Sequence, residues 1–534
     1  MTQQLPIVYV RGYAGPTSGI DATVDDPFYG FNEGATHVRV DGDGDPMFYQ
    51  FEGPLLRLIT EQGYQFLVHG DQKRFLETTT GALSPASVWV HRFYDKAATT
   101  YAARPKRTLI ERIGDELRER FTAEGFDLEE AAEDLYDLVV RVLQRTGAPA
   151  VHLVAHSMGG LIVRCMIQKV CETPDAAGRP RRHAKEIVAK VFTFGTPHGG
   201  IETVSAIANW AMDLFGPAGS DIFSPKKMYG YLTPGARFGD VGGDDWDPQA
   251  IPPDVFDAGD VFCLIGTNPL DYGAARAAVG PKSDGLVLIE NAYVRGAHRA
   301  YVYKSHSGRY GEVNSEEGYQ NLRRFLFGRW AVSVAFANLP PASALEPGVS
   351  WQADMRLSIR GLPIVMSEQL AAHWCPIQLN DELLRHPDSP DSPVPIVSTF
   401  LLQKEPPPPD RVSTVPASSH SRYVLTLRVT KLVSNGGSFD FSDHLEQVFD
   451  WADSLIVDVG SNSEGTGLEA YSGWNTTVDG PIDSFPLMPH RLELVPGPEG
   501  VLQGLVELPP AARSLPIIGG AANLRISVRD RTAG

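Results

Sequence analysis

One serine of this 534-residue chain stands in a setting that suits covalent catalysis. The apolar run Val151–Ala155 has the composition of a buried strand, and a helical pattern begins a few residues later. The bend between them would lift the Ser157 hydroxyl above a sheet. Strand and helix backbones nearly touch at such a bend, and Ala155 and Gly159, two residues to either side, are small. Because a serine hydroxyl is a weak nucleophile, this hypothesis requires a base, an acid and an oxyanion hole elsewhere.

The bend resembles the nucleophile elbow of the α/β-hydrolases, with Ala155 in place of the usual first glycine of Gly-x-Ser-x-Gly. In that fold an acid and then a histidine follow the serine along the chain. Lys282–Val287 resembles the Ser/Asn-Asp-Gly-Leu-Val segment of true bacterial lipases, which implies Asp284 as the acid. A short β-rich run then leads to His306, the implied base. The alternatives left open are His298 for the base and Asp260 or Asp271 for the acid.

The oxyanion hole is expected at the end of the first strand. Leu5–Val10 reads as a buried strand that runs into Arg11–Gly15, a turn similar to the His-Gly-x-x-Gly turn of lipases. The resemblance implies that the backbone N–H groups of Tyr13 and Met158 hold the oxyanion. Arg11 stands where lipases usually carry histidine, so the side chain that supports this oxyanion hole differs from that of the lipases.

A further segment strengthens the resemblance. Val191–Gly200 contains the strand and Thr-Pro-His-x-Gly turn that follow the nucleophile helix in many lipases and GPI inositol-deacylase-like hydrolases. The motifs occur in the expected order, and together they cover roughly the first 330 residues. We therefore expect an α/β-hydrolase catalytic domain over residues 1–330, of the lipase or phospholipase type.

Alternating strands and helices are expected to position these residues. Tyr64–Val68, Ser87–Asp95 and Val261–Ile265 are predicted strands, and Leu109–Phe121 is a predicted amphipathic helix. A second helix is predicted before the nucleophile strand, with Asp127 and Glu130 forming its capping box and Gly147 ending it. Strands that alternate with helices favour a mostly parallel sheet.

Two insertions interrupt this alternation of strands and helices. Residues 201–258 begin with a predicted helix, Ile201–Phe215, and continue with aromatic and glycine-rich sequence typical of a cap. Such a cap either moves as a lid or packs permanently on the core. Residues 20–51 form a second insertion, in which Asp41, Asp43, Asp45 and Glu52 mimic the acid spacing of a calcium loop. Pro46 takes the position that needs glycine there, so a solvated acidic turn is favoured.

The character of the chain changes near Trp330. Short alternating strands punctuated by Pro and Gly predict a mainly-β, sandwich-like domain over residues 331–534, whose role the sequence leaves open. Phe441–Leu455 is the one predicted helix in it. Substrate binding, dimerisation and closure of the cleft are equally compatible with this domain.

The composition of the chain disfavours several classes of protein. The net charge of −18 disfavours nucleic-acid binding, and 43% hydrophobic residues without a membrane-length apolar run indicate a globular chain. Its four cysteines show no metal-ligand spacing, so we expect buried thiols and no metal site or cofactor. Since Met1–Gln4 lacks the basic start of a signal peptide, we expect a cytoplasmic protein, or one exported without a cleavable signal.

The leading functional hypothesis is a serine-dependent carboxylic ester hydrolase that acts on lipid acyl esters through an acyl-enzyme. Transient contact with a membrane or lipid surface would accompany this activity, and the oligomeric state stays open. One alternative is an esterase for short-chain, thio- or polyester bonds. Another is a binding protein whose function lies in the C-terminal β domain.

Overall fold

The computed structural model describes residues 4–12, 33–40, 46–66, 72–91, 127–201, 222–237, 239–270, 279–306, 311–385, 393–403, 420–433, 449–462, 467–478, 490–497 and 500–531. The chain divides into two compact units. The first comprises Met1–Arg299 and Lys304–Tyr319, and the second comprises Ala300–Tyr303 and Gln320–Gly534. The predicted domain boundary at residue 330 stays a prediction.

A seven-stranded sheet organises the first unit, in the order β4-β5-β1-β6-β7-β8-β9. The pairings from β4 through to β8 are parallel. Its strands are β1 (Ile7–Val10), β4 (Gln65–Phe66), β5 (Ser87–His91), β6 (Val151–His156), β7 (Val188–Phe194), β8 (Val261–Gly266) and β9 (His298–Val302). A separate antiparallel hairpin consists of β2 (Glu33–Val40) and β3 (Pro46–Glu52).

The helices of this unit alternate with the strands, which confirms the predicted α/β-hydrolase fold class. They are α1 (Gly53–Gln62), α2 (Gln72–Thr78), α3 (Leu128–Thr146), α4 (Met158–Cys165), α5 (Ala184–Ile187) and α6 (Tyr229–Leu232). A π-helical turn, Met166–Val170, extends α4.

Helix α3 begins and ends where the sequence predicts. The side chain of Asp127 accepts hydrogen bonds from the backbone N–H groups of Glu129 and Glu130. At the other end Gly147 has a φ of 68°, a left-handed conformation that glycine adopts without a Cβ penalty. Since this helix runs directly into β6, its caps help to fix the start of the nucleophile strand.

The central strands are buried over most of their length. Every described side chain of β1 and β8 is buried, and so are the first five residues of β6. Parallel strands covered by helices on both faces have this continuous apolar character. The carboxyl ends of β1, β6, β7 and β8 therefore meet at one edge of a rigid sheet.

Two antiparallel sheets form the second unit, with strand orders β14-β10-β21-β20-β19 and β12-β11-β15-β16-β17-β18, and β13 pairs with β11. The strands are β10 (Trp330–Ala337), β11 (Val349–Ile359), β12 (Val365–Gln369), β13 (Ile377–Gln378), β14 (Val394–Leu401), β15 (His420–Val433), β16 (Trp451–Ser461), β17 (Leu468–Trp474), β18 (Arg491–Leu492), β19 (Val495–Pro496), β20 (Leu502–Glu507) and β21 (Asn523–Asp530). Its helices include α8 (Leu379–Arg385) and α9 (Pro510–Arg513), while α7 (Glu316–Phe327) spans the change between the two units.

Side chains from both sheets share one hydrophobic cluster, which confirms a mainly-β, sandwich-like domain. The predicted helix Phe441–Leu455 is wrong over Trp451–Leu455, which belongs to β16. Phe449 and Asp450 also lie outside any helix, and residues 441–448 lie outside the described part. All four cysteines are buried free thiols, as the sequence indicates. Within the described ranges no helix has the length and apolarity that a membrane span requires.

Candidate active site

Ser157 occupies the bend between β6 and α4 in a strained conformation. Its φ of 54° and ψ of −128° lie where non-glycine residues are rarely found. The backbone N–H of Ser157 donates to the carbonyl of Phe194 at 2.9 Å, so the end of β7 holds this conformation in place. Strain at one residue persists only where the surroundings fix it, and such residues concentrate at functional sites.

The side chains of Ser157, His306 and Asp284 form one hydrogen-bonded chain. His306 Nε2 lies 2.9 Å from Ser157 Oγ, and His306 Nδ1 lies 2.8 Å from Asp284 Oδ2. Asp284 and His306 are 1% and 3% exposed, so little water competes for these bonds. The arrangement can pass a proton from the hydroxyl to an imidazole that a carboxylate orients.

Backbone groups fix the acid independently of the histidine. The second oxygen of Asp284, Oδ1, accepts from the N–H groups of Leu286 and Val287 at 2.9 and 2.7 Å. The backbone N–H of His306 also donates to the carbonyl of Asp284 at 2.9 Å. The Asp-Gly-Leu-Val segment singled out in the sequence is therefore a tight turn that aims one carboxylate oxygen at His306.

Two of the alternatives, Asp260 and His298, do not take part in this chain. Asp260 ends a short 3-10 turn immediately before β8, at the strand end opposite to the one that leads towards Asp284. His298 is the first residue of β9, whereas His306 follows the end of that strand. Asp271 lies outside the described residues.

His156, next to the serine, supports the histidine from its backbone side. Its Nε2 lies 3.1 Å from the carbonyl oxygen of His306, and the two rings are 5.1 Å apart. Burial, with the neighbouring His306 and Arg11, lowers the pKa of His156 to about 3. The ring is thus neutral at physiological pH, and its Nε2–H donates to this carbonyl.

One of the two expected oxyanion donors lies within the described residues. Met158 is the first residue of α4, where a backbone N–H has no carbonyl partner within its own helix. Gly12, at the end of β1, packs against the elbow so closely that a Cβ on it would lie 3.1 Å from Ser157 Cβ. Tyr13, the other expected donor, is the next residue and lies outside the described part.

The Thr-Pro-His turn after β7 braces the elbow. The hydroxyl of Thr196 donates to the carbonyl of Ser157 at 2.9 Å. His198 is buried, and its Nε2 lies 3.1 Å from the hydroxyl of Thr193. Burial and Arg164 keep the pKa of His198 well below its ordinary value, so this ring is a neutral structural group.

The described part of the predicted cap is fastened to the core. The buried guanidinium of Arg164 on α4 donates to the carbonyls of Pro248 and Ala250 at 2.6 and 2.9 Å. The Lys169 ammonium donates to the carbonyls of Gly230 and Ala236. Seven apolar side chains of residues 222–256 lie in the central core cluster: Ile222, Phe223, Met228, Tyr231, Leu232, Ile251 and Phe256. For residues 222–258 these contacts favour a fixed cap, while 202–221 lie outside the described part.

Sequence reasoning missed one acidic residue at this site. Glu312 is fully buried, and its carboxylate lies beside the pair formed by Asp284 and His306. A single glutamate in a loop is normally solvated, and nothing in Gly311–Asn314 distinguishes it from a surface residue.

A comparison with known families finds a match over part of the chain. Residues 94–217 match the family described as "Putative serine esterase (DUF676)". This stretch includes Ser157, Met158 and the Thr-Pro-His turn, whereas Asp284 and His306 follow it.

Several solved structures are similar to parts of the chain. The product of gene lin2722 from Listeria innocua is 14% identical, with a TM-score of 0.25, over 60% of this chain and 94% of that one. The lipase BlEst2 from Bacillus licheniformis, in its propeptide form, is 12% identical, with a TM-score of 0.24, over 65% and 86%. Phospholipase PlaB from Legionella pneumophila, in complex with thio-NAD, is 12% identical, with a TM-score of 0.29, over 89% and 90%.

Proposed function

The chain carries an α/β-hydrolase domain, and on that premise we propose that it is a serine-dependent carboxylic ester hydrolase acting on lipid acyl esters. The observation that carries the proposal is the continuous hydrogen-bonded chain from Ser157 through His306 to Asp284. Its position at the carboxyl ends of parallel strands is where open α/β sheets hold their ligands.

In the acylation step, Ser157 Oγ attacks the ester carbonyl while its proton passes to His306 Nε2. The tetrahedral intermediate then breaks its bond to the alcohol oxygen, which takes the proton from His306 and leaves. An acyl group remains on Ser157. Asp284 stabilises the imidazolium throughout and keeps the proton of the neutral ring on Nδ1.

Water completes the reaction. His306 removes a proton from a water molecule, which attacks the acyl carbonyl and forms a second tetrahedral intermediate. Its collapse returns the proton to Ser157 Oγ and releases the fatty acid. The backbone N–H groups of Met158 and Tyr13 are the proposed oxyanion donors for both intermediates, and loss of one such donor typically costs about two to three orders of magnitude in rate.

Lipid acyl esters are the proposed substrate class for two reasons. The Ser-Asp-Gly-Leu-Val context around Asp284 is similar to that of true bacterial lipases. In addition, residues 201–258 have the aromatic and glycine-rich sequence of a cap that could cover an apolar acyl chain. Each buried methylene would add about 0.8 kcal/mol of binding, so a lipid esterase should prefer long chains.

Hydrolysis of p-nitrophenyl acetate, octanoate and palmitate, with phosphatidylcholine vesicles in parallel, tests this proposal. We expect kcat/KM to rise with chain length and to vanish in Ser157→Ala. Ser514→Ala, which removes an exposed hydroxyl, is the matched control and should retain full activity.

A fluorophosphonate probe supplies an independent readout, since it should label the wild type and leave Ser157→Ala unlabelled. Labelling with activity on acetate alone would identify a short-chain esterase and reject the lipid substrate. A folded wild-type protein that is neither labelled nor active would reject the proposal and leave a binding role for the C-terminal β domain.

A further inference from the structure

The Glu312 carboxyl is a buried ionisable group that the proposed triad does not use. It is fully buried, and neither carboxylate oxygen has a hydrogen bond of good geometry among the described residues, although the Gly266 N–H lies nearby. An ionised carboxylate placed in the interior without donors costs far more free energy than a neutral carboxylic acid. Its environment therefore favours the protonated form.

Two glycines at the ends of neighbouring strands make room for this carboxyl. A Cβ on Gly195 would lie 2.1 Å from Glu312 Oε1, 2.9 Å from His306 Nδ1 and 3.1 Å from Asp284 Oδ2. A Cβ on Gly266 would lie 3.4 Å from Glu312 Oε2. The carboxyl thus fills the space beside the imidazole that these glycines leave open.

The backbone of Glu312 belongs to the loop that carries the histidine. Its N–H donates to the carbonyl of Ser305 at 2.8 Å, and a β-bridge joins Ser305 to Gly311. The hydroxyl of Ser315 donates to the Glu312 carbonyl at 2.7 Å. The loop therefore returns Glu312 to a defined place next to His306.

The charged groups around Glu312 are those of the catalytic site itself. Burial and the Asp284 charge raise the pKa of Glu312 well above its ordinary value, and the nearby Gly266 N–H has a smaller, opposite effect. A Glu312 oxygen also lies within 4.8 Å of ring nitrogens of His306 and His156. His156 is neutral, and within the described residues no cationic side chain is among the groups that lower the pKa of Glu312.

We propose that Glu312 is a positioning residue, held as a neutral carboxylic acid that packs the His306 imidazole against Asp284. A neutral acid supplies the volume that keeps the ring from turning. It also keeps a second negative charge out of a buried site where Asp284 already carries one. This inference rests on the proposed function, since it assigns Glu312 to the same Ser157–His306–Asp284 arrangement.

Two substitutions separate shape from charge. Glutamine matches the shape and neutrality of the protonated acid, so we expect Glu312→Gln to keep kcat/KM within about threefold and to leave the acid limb of its pH profile unchanged. Alanine removes the packing, so Glu312→Ala should lower kcat by roughly tenfold to a hundredfold with little change in KM. Glu186→Gln, an exposed change in the same unit, is the control.

Three results would overturn the inference. A lower kinetic pKa for the acid limb of Glu312→Gln would mean that an ionised Glu312 stabilises the imidazolium. A Glu312→Gln variant as impaired as Glu312→Ala would mean that the carboxyl itself reacts. A Glu312→Ala variant with unchanged kcat and a lower Tm would mean that Glu312 only fills the core.

Infrared spectroscopy tests the protonation state without reference to activity. At neutral pH the wild type should show the carbonyl stretch of a buried protonated carboxyl, and Glu312→Gln should lack it. Absence of this band in the wild type would overturn the inference. If the band is present while the protein hydrolyses no ester and takes no fluorophosphonate, the failure belongs to the proposed function.

Discussion

Gly159 lies directly beneath the end of the first strand, where a Cβ on it would come within 2.4 Å of the carbonyl oxygen of Val10. The carbonyl of Arg11 would be only 2.7 Å away. Both are backbone atoms, so no side-chain rotation could relieve the overlap. The small residue that the sequence pattern requires after Ser157 is thus explained by the packing of α4 against β1.

Gly159→Ala should therefore disturb the elbow as well as stability. We expect a loss of roughly 1 to 3 kcal/mol in the free energy of unfolding, as for other overpacked interiors. Because Ser157 and the end of β1 must move apart, ester hydrolysis should fall as well. Urea unfolding and esterase assays measure the two effects. Gly243→Ala, where a Cβ meets nothing within 4 Å, should change neither, and equal behaviour of the two variants would contradict this account.

Asp284→Asn tests the identity of the acid. The amide can still accept the N–H groups of Leu286 and Val287, but it no longer offers His306 a carboxylate. The imidazole would then hold the wrong tautomer, and kcat should fall by about four orders of magnitude, as in other serine triads. The rival acid supplies the control, because Asp260→Asn should stay near wild-type activity. Steady-state kinetics on a p-nitrophenyl ester decides between them, and the reverse pattern would identify Asp260 as the acid.

Arg164→Met tests whether the cap is fixed. The substitution removes the donors to the carbonyls of Pro248 and Ala250 and to the buried carbonyl of His198, which should cost about 3 kcal/mol or more. We expect a lower Tm and new protease cleavage within residues 222–258. Arg179→Met, at a side chain that is 78% exposed, should have neither effect. Unchanged protease resistance in Arg164→Met would show that apolar packing alone holds the cap.

The buried His91 ring should lower the free energy of unfolding as the pH falls. Its ring is fully buried, its Nε2 lies 3.1 Å from the Ala131 carbonyl, and burial lowers its pKa to about 4. The unfolded chain binds a proton near pH 6.5 and the folded chain does not, so stability is full above that pH and falls towards pH 4. The slope should be about 1.4 kcal/mol per pH unit for this residue.

His91→Gln keeps an amide donor for Ala131 and removes the titration. Between pH 7 and pH 5 the variant should lose about 1 to 2 kcal/mol less stability than the wild type does. Urea unfolding at both pH values measures the difference. Parallel curves for the two proteins would show that His91 does not contribute to acid sensitivity.

The sequence predicted those parts of the molecule that depend on local pattern. A short sequence pattern, compatible with one local structure, specifies the elbow at Ser157, the caps of α3 at Asp127 and Gly147, and the buried strands. Motif context, not spacing, is what points to Asp284 and His306 in the sequence. Their mutual geometry depends on backbone hydrogen bonds that the sequence does not encode locally.

The failures have physical causes. Trp451 and Leu455 are four residues apart, a spacing that one face of a strand shares with one face of a helix. Pairing with β15 makes this segment a strand, β16. The charges of Arg422 on β15 and Asp458 on β16 are buried as an ion pair between the two strands. Glu312 was missed because its burial comes from the return of a loop onto β7 and β8, a contact distant in sequence.

The main-chain hydrogen bond from the His306 N–H to the Asp284 carbonyl holds the loop in place independently of the chemistry of the two side chains. No exchange of either side chain removes it, so the base-bearing loop has an attachment that does not depend on the carboxylate. An amide at position 284 can still accept the Leu286 and Val287 N–H groups, so it should silence the site while the loop keeps its place. For an engineer, this exchange offers an inactive form of the protein on an unchanged scaffold.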